Sequence, residues 1–185
     1  MLSTQQMLNH DYDWFCIIND FPVCVASNGG IIPNVVNFDN NVINTQNRAY
    51  RLPRFYHFLL NTNHIENHIV NNGFEYLLDE NSPYKEILHP TDITFPDNTP
   101  LAVQYYSEHF AKMAERGFYV FDRPQESEDL YSLVAWPTSF NMDILFQHIY
   151  KEESRIELQL PQLDFYRPQN LTEIHLVDLV NGIFN

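Results

Sequence analysis

Two histidines four residues apart come closest in this chain to a metal-binding pattern. In a helical conformation, the run His64-Ile65-Glu66-Asn67-His68 places both imidazoles one turn apart, where they could reach the same ion. The zinc-protease pattern HExxH requires a glutamate directly after the first histidine, to act as general base. Glu66 instead stands two positions after His64, about 200° around a helix of 3.6 residues per turn. The spacing excludes that enzyme class and predicts a polar helix face, so we expect no metal and no cofactor.

Three arginines at intervals of three residues form the sharpest cationic group in the sequence, namely Arg48, Arg51 and Arg54. A guanidinium group is a planar fork of donors that suits carboxylates and phosphates. One interpretation is an anion-binding or small-ligand pocket, with or without catalysis, which these arginines form together with His64 and His68. The other is that the arginines pair with surplus carboxylates, since the chain has 24 acidic and 10 basic residues. The sequence leaves both interpretations open.

An acidic segment and two tyrosines are candidate contacts for a partner. Glu126, Glu128 and Asp129 stand between two predicted strands, in a segment without the alternating oxygen ligands and the glycine of a calcium-binding loop. The segment is therefore either an exposed hairpin tip or a docking patch for a basic protein. Tyr105 and Tyr119 fall opposite the predicted apolar faces, and exposed tyrosines are typical of protein interfaces.

No sequence motif assigns a reaction to this chain. The G-x-S-x-G, G-x-G-x-x-G and P-loop patterns are all missing. Ser27, followed by Asn28-Gly29-Gly30, resembles a tight nucleophile turn, but the next residues are Ile31-Ile32-Pro33, which do not begin a helix. A hairpin turn explains these residues better, because paired glycines adopt a positive φ without penalty.

The balance of charge bounds the class of partner. The formal charge is −14 although only 18% of the residues are charged, so the acidity reflects a shortage of Lys and Arg. A strongly negative protein repels nucleic-acid backbones and anionic lipids, and electrostatic steering favours its association with basic proteins. We therefore expect a protein partner, in particular a basic one, and neither nucleic acid nor a membrane.

Three features favour a cytoplasmic location. The first residues lack the basic and apolar regions of a signal peptide. No stretch approaches the roughly 18 uninterrupted apolar residues that span a bilayer. Cys16 and Cys24 lack the spacing of a zinc site, and we expect them to be reduced residues of the apolar core.

The elements that must position these residues follow the order strands, helices, strands. The predicted helices are a short one capped by Ser3, then 39–50, 54–60, 65–71, 100–116, 141–152 and 171–180. The predicted strands cover 13–19, 23–26, 118–121, 130–136 and 156–160, with an extended piece at 31–32. Residues 81–100 carry four prolines and predict a long irregular connection. This order predicts a single α+β domain over residues 1–185, with a largely antiparallel sheet packed by several helices.

Three functional hypotheses follow from the sequence. The leading one is a non-enzymatic, cytoplasmic protein-binding module, of the immunity or inhibitor type, whose acidic face covers a basic partner. The rival is a small-ligand or anion-binding protein, or an enzyme, that uses an Arg/His pocket around residues 48–68. In the third, copies of the chain assemble and bury the exposed aromatic side chains.

Overall fold

The structure is a computed structural model, and it describes residues 1–18, 21–30, 32–34, 36–37, 41–79, 81–83, 92–123, 130–138, 160, 162–163 and 173–175. The predicted helix over 141–152 and the acidic residues Glu126, Glu128 and Asp129 lie outside these ranges. Residues 84–91 also lie outside them, so the irregular connection over 81–100 stays a prediction.

The described residues form four α-helices, one 3-10 turn and seven strands. The helices are α1 (Thr4–Asn9), α2 (Asn41–Ala49), α3 (Thr62–Asn71) and α4 (Leu101–Ala114), with the 3-10 turn at Glu75–Leu77. The strands are β1 (Asp13–Ile18), β2 (Phe21–Ala26), β3 (Phe58–Leu60), β4 (Tyr119–Asp122), β5 (Leu130–Pro137), β6 (Gln162–Leu163) and β7 (Glu173–His175). Within this part of the chain, no helix is both long and apolar enough to cross a membrane.

All seven strands belong to one sheet in the order β3-β5-β4-β2-β1-β6, and β7 also pairs with β5. The pairs β1–β2, β3–β5, β4–β5 and β5–β7 are antiparallel. The pairs β2–β4 and β1–β6 are parallel. This arrangement confirms the predicted single α+β domain with a largely antiparallel sheet.

Strands β1 and β2 are buried on both faces of the sheet. All six residues of β1 are buried, as are five of the six in β2, which explains why both read as continuous apolar runs. Alternation along the strands divides their side chains between two clusters, so Cys24 packs in one and Cys16 in the other. Both thiols are free, and burial raises their pKa well above the ordinary value.

The predicted helix cap and the predicted turn at the start of the chain are confirmed, but the turn does not form a hairpin, because Ile32 is not in a strand and β2 pairs with β1 and β4. Ser3 and Gln6 form a reciprocal capping box at the start of α1, with each side chain accepting from the other's main-chain N–H. The turn after β2 has positive φ at Asn28 (44°) and Gly29 (71°). The Asp11 carboxylate accepts a hydrogen bond from the Asn28 N–H at 2.7 Å, which fixes Asp11 beside the end of β2.

Helix α4 carries the predicted apolar stripe onto the sheet. Val103, Phe110 and Met113 are buried, and the exposed face holds the predicted ion pair between Glu108 and Lys112 at 2.5 Å. Its first turn differs from the prediction, because Pro100 is the N-cap residue. The predicted cap, Thr99, instead donates its hydroxyl to the carbonyl of Pro96 at 2.7 Å.

Two helix predictions are wrong, and both concern segments at the outer edge of β5. Residues 53–57 form neither helix nor strand, and Phe58–Leu60 is strand β3. The N–H groups of Phe55 and Tyr56 donate to the carbonyl of Glu115 at 2.8 and 3.0 Å, so they do not enter a helical ladder. The helix predicted over 171–180 is wrong at 173–175, which pair with β5 as β7. Tertiary pairing overrides local propensity in both segments.

Helix α3, which carries the two histidines, is fixed at its N-terminus by Asn61. The Asn61 side chain accepts from the His64 N–H at 3.3 Å and donates to the Leu133 carbonyl of β5 at 3.2 Å. One residue therefore caps the helix and ties it to the sheet. Ile65 and Ile69 then bury the apolar side of α3 against α4.

The substitution Asn61→Ala is expected to lower the free energy of unfolding by about 1–2 kcal/mol, because it removes the cap and the bond to β5 together. Urea denaturation followed by circular dichroism measures this change. Asn63→Ala is the matched control, since Asn63 is exposed on the same helix. Its effect is expected within about 0.5 kcal/mol. Equal losses in the two variants would contradict the role given to Asn61.

Candidate functional site

A cavity of about 590 Å³ lies where α2, α3 and α4 meet one end of the sheet. Its floor is a row of three residues on neighbouring strands. Asp13 of β1 pairs with Ala26 of β2, and Ala26 pairs in turn with Asp122 of β4. Directly paired residues project from the same face of a sheet, so the small alanine separates two aspartates. Two strand spacings place the two aspartate backbones about 10 Å apart.

The cavity lining combines apolar and polar side chains. The apolar and aromatic residues are Ala26, Ile69, Phe74, Leu77, Ala102, Tyr105, Tyr106 and Phe110, and the polar ones are Asp11, Asp13, Asn28, Gln46, Tyr50, His68, Asn72, His109 and Asp122. Among these described residues, three are carboxylates and none is Lys or Arg. The lining therefore has a negative formal charge.

At one end of the cavity, Asp13 is the centre of a hydrogen-bonded group. The Tyr50 hydroxyl donates to Asp13 Oδ2, and Gln46 Nε2 donates to the Tyr50 oxygen at 3.1 Å. His109 Nε2 lies 2.6 Å from the same Oδ2. Because an ionised carboxylate only accepts, the neutral tautomer of His109 carries its proton on Nε2. Tyr50, which follows α2, and His109 of α4 thus hold a buried carboxylate of β1 in one orientation.

The Asp13 group shifts the titration of both its donors. Burial, followed by the charge of Asp13, strongly raises the pKa of the Tyr50 hydroxyl, so this residue stays a proton donor. Burial alone would lower the pKa of His109, but the hydrogen bond and the charge of Asp13 outweigh it and raise that pKa. His109 is therefore protonated over a wider pH range than an ordinary histidine.

At the other end of the cavity, Asp122 faces two histidines of α3. Asp122 is 3% exposed, and its Oδ2 accepts no hydrogen bond from the described residues. That oxygen lies 3.8 Å from Nδ1 of His68. One ligand atom from each of His64, His68 and Asp122 lies within 4.8 Å of the others. The ring of Tyr106 lies against His68, with the centroids 5.1 Å apart.

Burial is the main influence on both groups at this end. It raises the pKa of Asp122 to about 7, against a hydrogen bond from the Arg123 main chain that lowers it. Burial also lowers the pKa of His68, and the charge of His64 acts in the same direction. A neutral imidazole therefore faces a carboxyl group that is only partly ionised at neutral pH.

The three arginines that the sequence singled out do not line the cavity among its described residues. Arg48 and Arg51 are exposed and are not among the described residues that line the cavity. Arg54 pairs with Asp92 at 3.1 Å and with Glu115 at 3.4 Å. It lines a separate depression of about 450 Å³.

The remaining predicted site residues divide between the cavity and other places. His68 lines the cavity and His64 lies beside it in the cluster with Asp122. Tyr105, half exposed, lines the cavity as well. Tyr119 is half-buried and packs on Phe21, with ring centroids 5.0 Å apart. Glu126, Glu128 and Asp129 lie outside the described residues.

Sequence reasoning missed four polar residues of the site: Asp13, Tyr50, His109 and Asp122. The available signal was weak. Asp13 opens one buried apolar run and Asp122 closes another, and a carboxylate at the end of a buried strand is placed beside the carboxylates of neighbouring strands. Which strands are neighbours depends on the parallel pairing of β2 with β4, which no local pattern reveals.

The chain matches no protein-family model, no curated protein and no solved structure. The chemistry of the cavity is therefore the guide to function. A mostly apolar concavity of this size, with a few convergent polar groups and shifted pKa values, is the usual form of a small-molecule site.

The contribution of the His109–Asp13 pair to stability is expected to depend on pH. The folded-state pKa of His109 lies above the value of about 6.5 for an unfolded chain. The added stability is therefore fully present below about pH 6.5 and is lost as the pH rises through the folded-state pKa. Because 46% of the His109 side chain is exposed, solvent screening limits this contribution to about 1 kcal/mol.

Urea denaturation of wild type and of His109→Gln, at pH 5.5 and at pH 8.5, measures how the contribution of the His109–Asp13 pair depends on pH. The stability advantage of wild type is expected to be larger at pH 5.5. In an Asp13→Asn background, the pH-dependent part of that advantage is expected to disappear. Its persistence there would show that Asp13 is not its source.

In EDTA, which keeps metal ions away from the cluster of His64, His68 and Asp122, the substitution Asp122→Asn is expected to stabilise the protein. Asparagine keeps the shape but carries no charge, so it removes the cost of burying a carboxylate with an unpartnered oxygen. At pH 8, above the pKa of about 7, the free energy of unfolding is expected to rise by about 1–3 kcal/mol. Exposed Asp97→Asn is the control and is expected to change it by less than about 0.5 kcal/mol. A loss of stability in Asp122→Asn would contradict this reading.

Proposed function

We propose that the protein binds a small organic cation, an ammonium or guanidinium group carried on an apolar body, in the cavity above Asp13, Ala26 and Asp122. One observation carries the proposal. The described lining contains three carboxylates and neither Lys nor Arg, around a largely apolar space of about 590 Å³. Stability alone does not favour Asp122 at this position, because a buried carboxylate with an oxygen that accepts no hydrogen bond from the described residues is costly.

Electrostatics favour a cation over an anion. A carboxylate in a partly desolvated cavity interacts more strongly with an incoming charge than it would in water. The chain has a formal charge of −14, which adds a long-range attraction for cations and repels phosphates and carboxylates. This argues against the anion-binding form of the Arg/His hypothesis at this cavity, since Arg48, Arg51 and Arg54 are not part of its described lining.

The aromatic wall suits the body of such a ligand. Tyr105, Tyr106 and Phe110 of α4 line one side of the cavity, and Phe74 lines it near the end of α3. Aromatic faces attract organic cations by about 0.5–2 kcal/mol each and also bury apolar groups. The carboxylate of Asp13 is already oriented by its donors, so little order has to be gained on binding.

The protein-binding hypothesis takes a specific form at the same cavity. Phe74 and Tyr105 line the cavity but are 48% and 50% exposed, and exposed Tyr76 lies next to Phe74, with ring centroids 6.3 Å apart. In this second candidate function, a Lys or Arg side chain of a basic protein enters the cavity and the aromatic rim packs around it. The free Cys16 and Cys24 support our proposal that binding takes place in the cytoplasm.

Isothermal titration calorimetry with three probes of similar shape tests the proposal. Benzylamine, which is cationic at pH 7, is expected to bind at least about tenfold more tightly than benzyl alcohol, with no binding of benzoate. EDTA is present throughout, so that metal ions take no part. Binding of benzoate as tight as that of benzylamine would contradict the proposal.

Substitutions in the cavity test whether benzylamine binds there. Asp13→Asn keeps an acceptor oxygen for Tyr50 and His109 and is expected to lower the affinity for benzylamine at least about tenfold. Ala26→Leu adds volume to the cavity floor and is expected to abolish binding, whereas exposed Asp97→Asn should leave it unchanged. The peptide acetyl-Gly-Lys-Gly-amide separates the two candidates. Tighter binding of the peptide than of benzylamine supports a protein partner, and weaker binding supports a small molecule.

A further inference from the structure

We infer that His64, His68 and Asp122 form a binding site for one divalent transition-metal ion, of the zinc class, which opens on the cavity. The inference does not depend on the proposed binding of an organic cation. It concerns the end of the cavity beside α3, whereas the Asp13 group occupies the other end.

The spacing of the three groups is that of metal ligands. One donor atom from each residue lies within 4.8 Å of the other two. Zinc–ligand bonds of about 2.1 Å at tetrahedral angles place ligand atoms about 3.4 Å apart. The 3.8 Å between His68 Nδ1 and Asp122 Oδ2 is too long for a hydrogen bond and close to that ligand spacing.

A second observation points to a ligand at this place. Asp122 is 97% buried, yet its Oδ2 accepts no hydrogen bond from any described residue and faces the His68 ring. Buried polar atoms are nearly always satisfied, so an exception calls for an ion, a water or a functional reason. The Arg123 main chain donates to the same carboxylate, which is how outer groups usually orient a metal-binding carboxylate.

Rigid elements hold the three groups in place. His64 and His68 are one turn apart on α3, whose first turn is capped by Asn61 and tied to β5. Asp122 ends β4, in the middle of the sheet. The Tyr106 ring packs against His68 from α4. Helix and strand positions set ligand geometry more closely than loops do.

The donor set selects the class of metal. Two imidazole nitrogens and one carboxylate oxygen suit Zn²⁺ or Fe²⁺, while Ca²⁺ and Mg²⁺ prefer oxygen ligands. Three protein ligands leave a fourth position, as in catalytic zinc sites. That position faces the cavity, because His68 and Asp122 both line it. Asp11 and Asp13 are not among the ligands of this ion, so their carboxylates stay available to the organic cation of the proposed function.

Metal titration of the full chain, prepared without a histidine tag and stripped with EDTA, tests the inference. Isothermal titration calorimetry with ZnCl₂ is expected to give one ion per chain. The affinity for Zn²⁺ is expected to fall at least about 100-fold in each of the variants His64→Ala, His68→Gln and Asp122→Asn. Substitutions of residues that only contact a metal ligand already lower metal affinity roughly 10- to 100-fold. Circular dichroism verifies that each variant folds, and half-buried His64 is the substitution least disruptive to the core.

Exposed His57→Ala is the matched control and is expected to bind Zn²⁺ as wild type does. Co²⁺ gives a second readout, because four-coordinate cobalt absorbs visible light strongly and this band should be lost in Asp122→Asn. Absence of binding to wild type would overturn the inference. So would binding that His57→Ala weakens as much as His64→Ala, which indicates surface histidines. Benzylamine binding in EDTA is unaffected by either result, so the two proposals fail separately.

Discussion

The row Asp13–Ala26–Asp122 sets the charge of the cavity floor. It places two buried carboxylates on one face at one end of a sheet, separated by a residue too small to cover them. A buried charge requires donors, a cation or a proton.

The two aspartates meet the requirement in different ways. Asp13 accepts hydrogen bonds from Tyr50, the residue after α2, and from His109 of α4, so the protein itself supplies the donors. Among the described residues, Asp122 receives a main-chain donor from Arg123 and faces two imidazoles, and its Oδ2 accepts no hydrogen bond from them. The contrast divides the cavity into an end whose carboxylate is held by side-chain donors and an end whose carboxylate is not. Such strained polar groups are typical of functional sites, where stability is lost in return for binding.

The sequence predicts much of the scaffold and little of the site. The capping box at Ser3, the apolar stripe of α4 and the hairpin of β4 with β5 were predictable, because each depends on residues close together in the chain. The strands β3 and β7 were not, since they exist through pairing with the edge of β5. The site was hidden for the same reason. The parallel pairing of β2 with β4 places Asp122 in the same row as Asp13. The Asp122 carboxylate then lies beside His64 and His68, which the sequence alone does not show.

We propose that ligands bind in the space above this row. A ¹H–¹⁵N correlation spectrum of the labelled protein, in EDTA and titrated with benzylamine, tests this proposal residue by residue. We expect the largest shift changes on the amides of Asp13, Ala26 and Asp122 and on α4 between Tyr105 and Phe110. Shift changes confined to the depression around Arg54 and His57, or no shift changes at all, would contradict it.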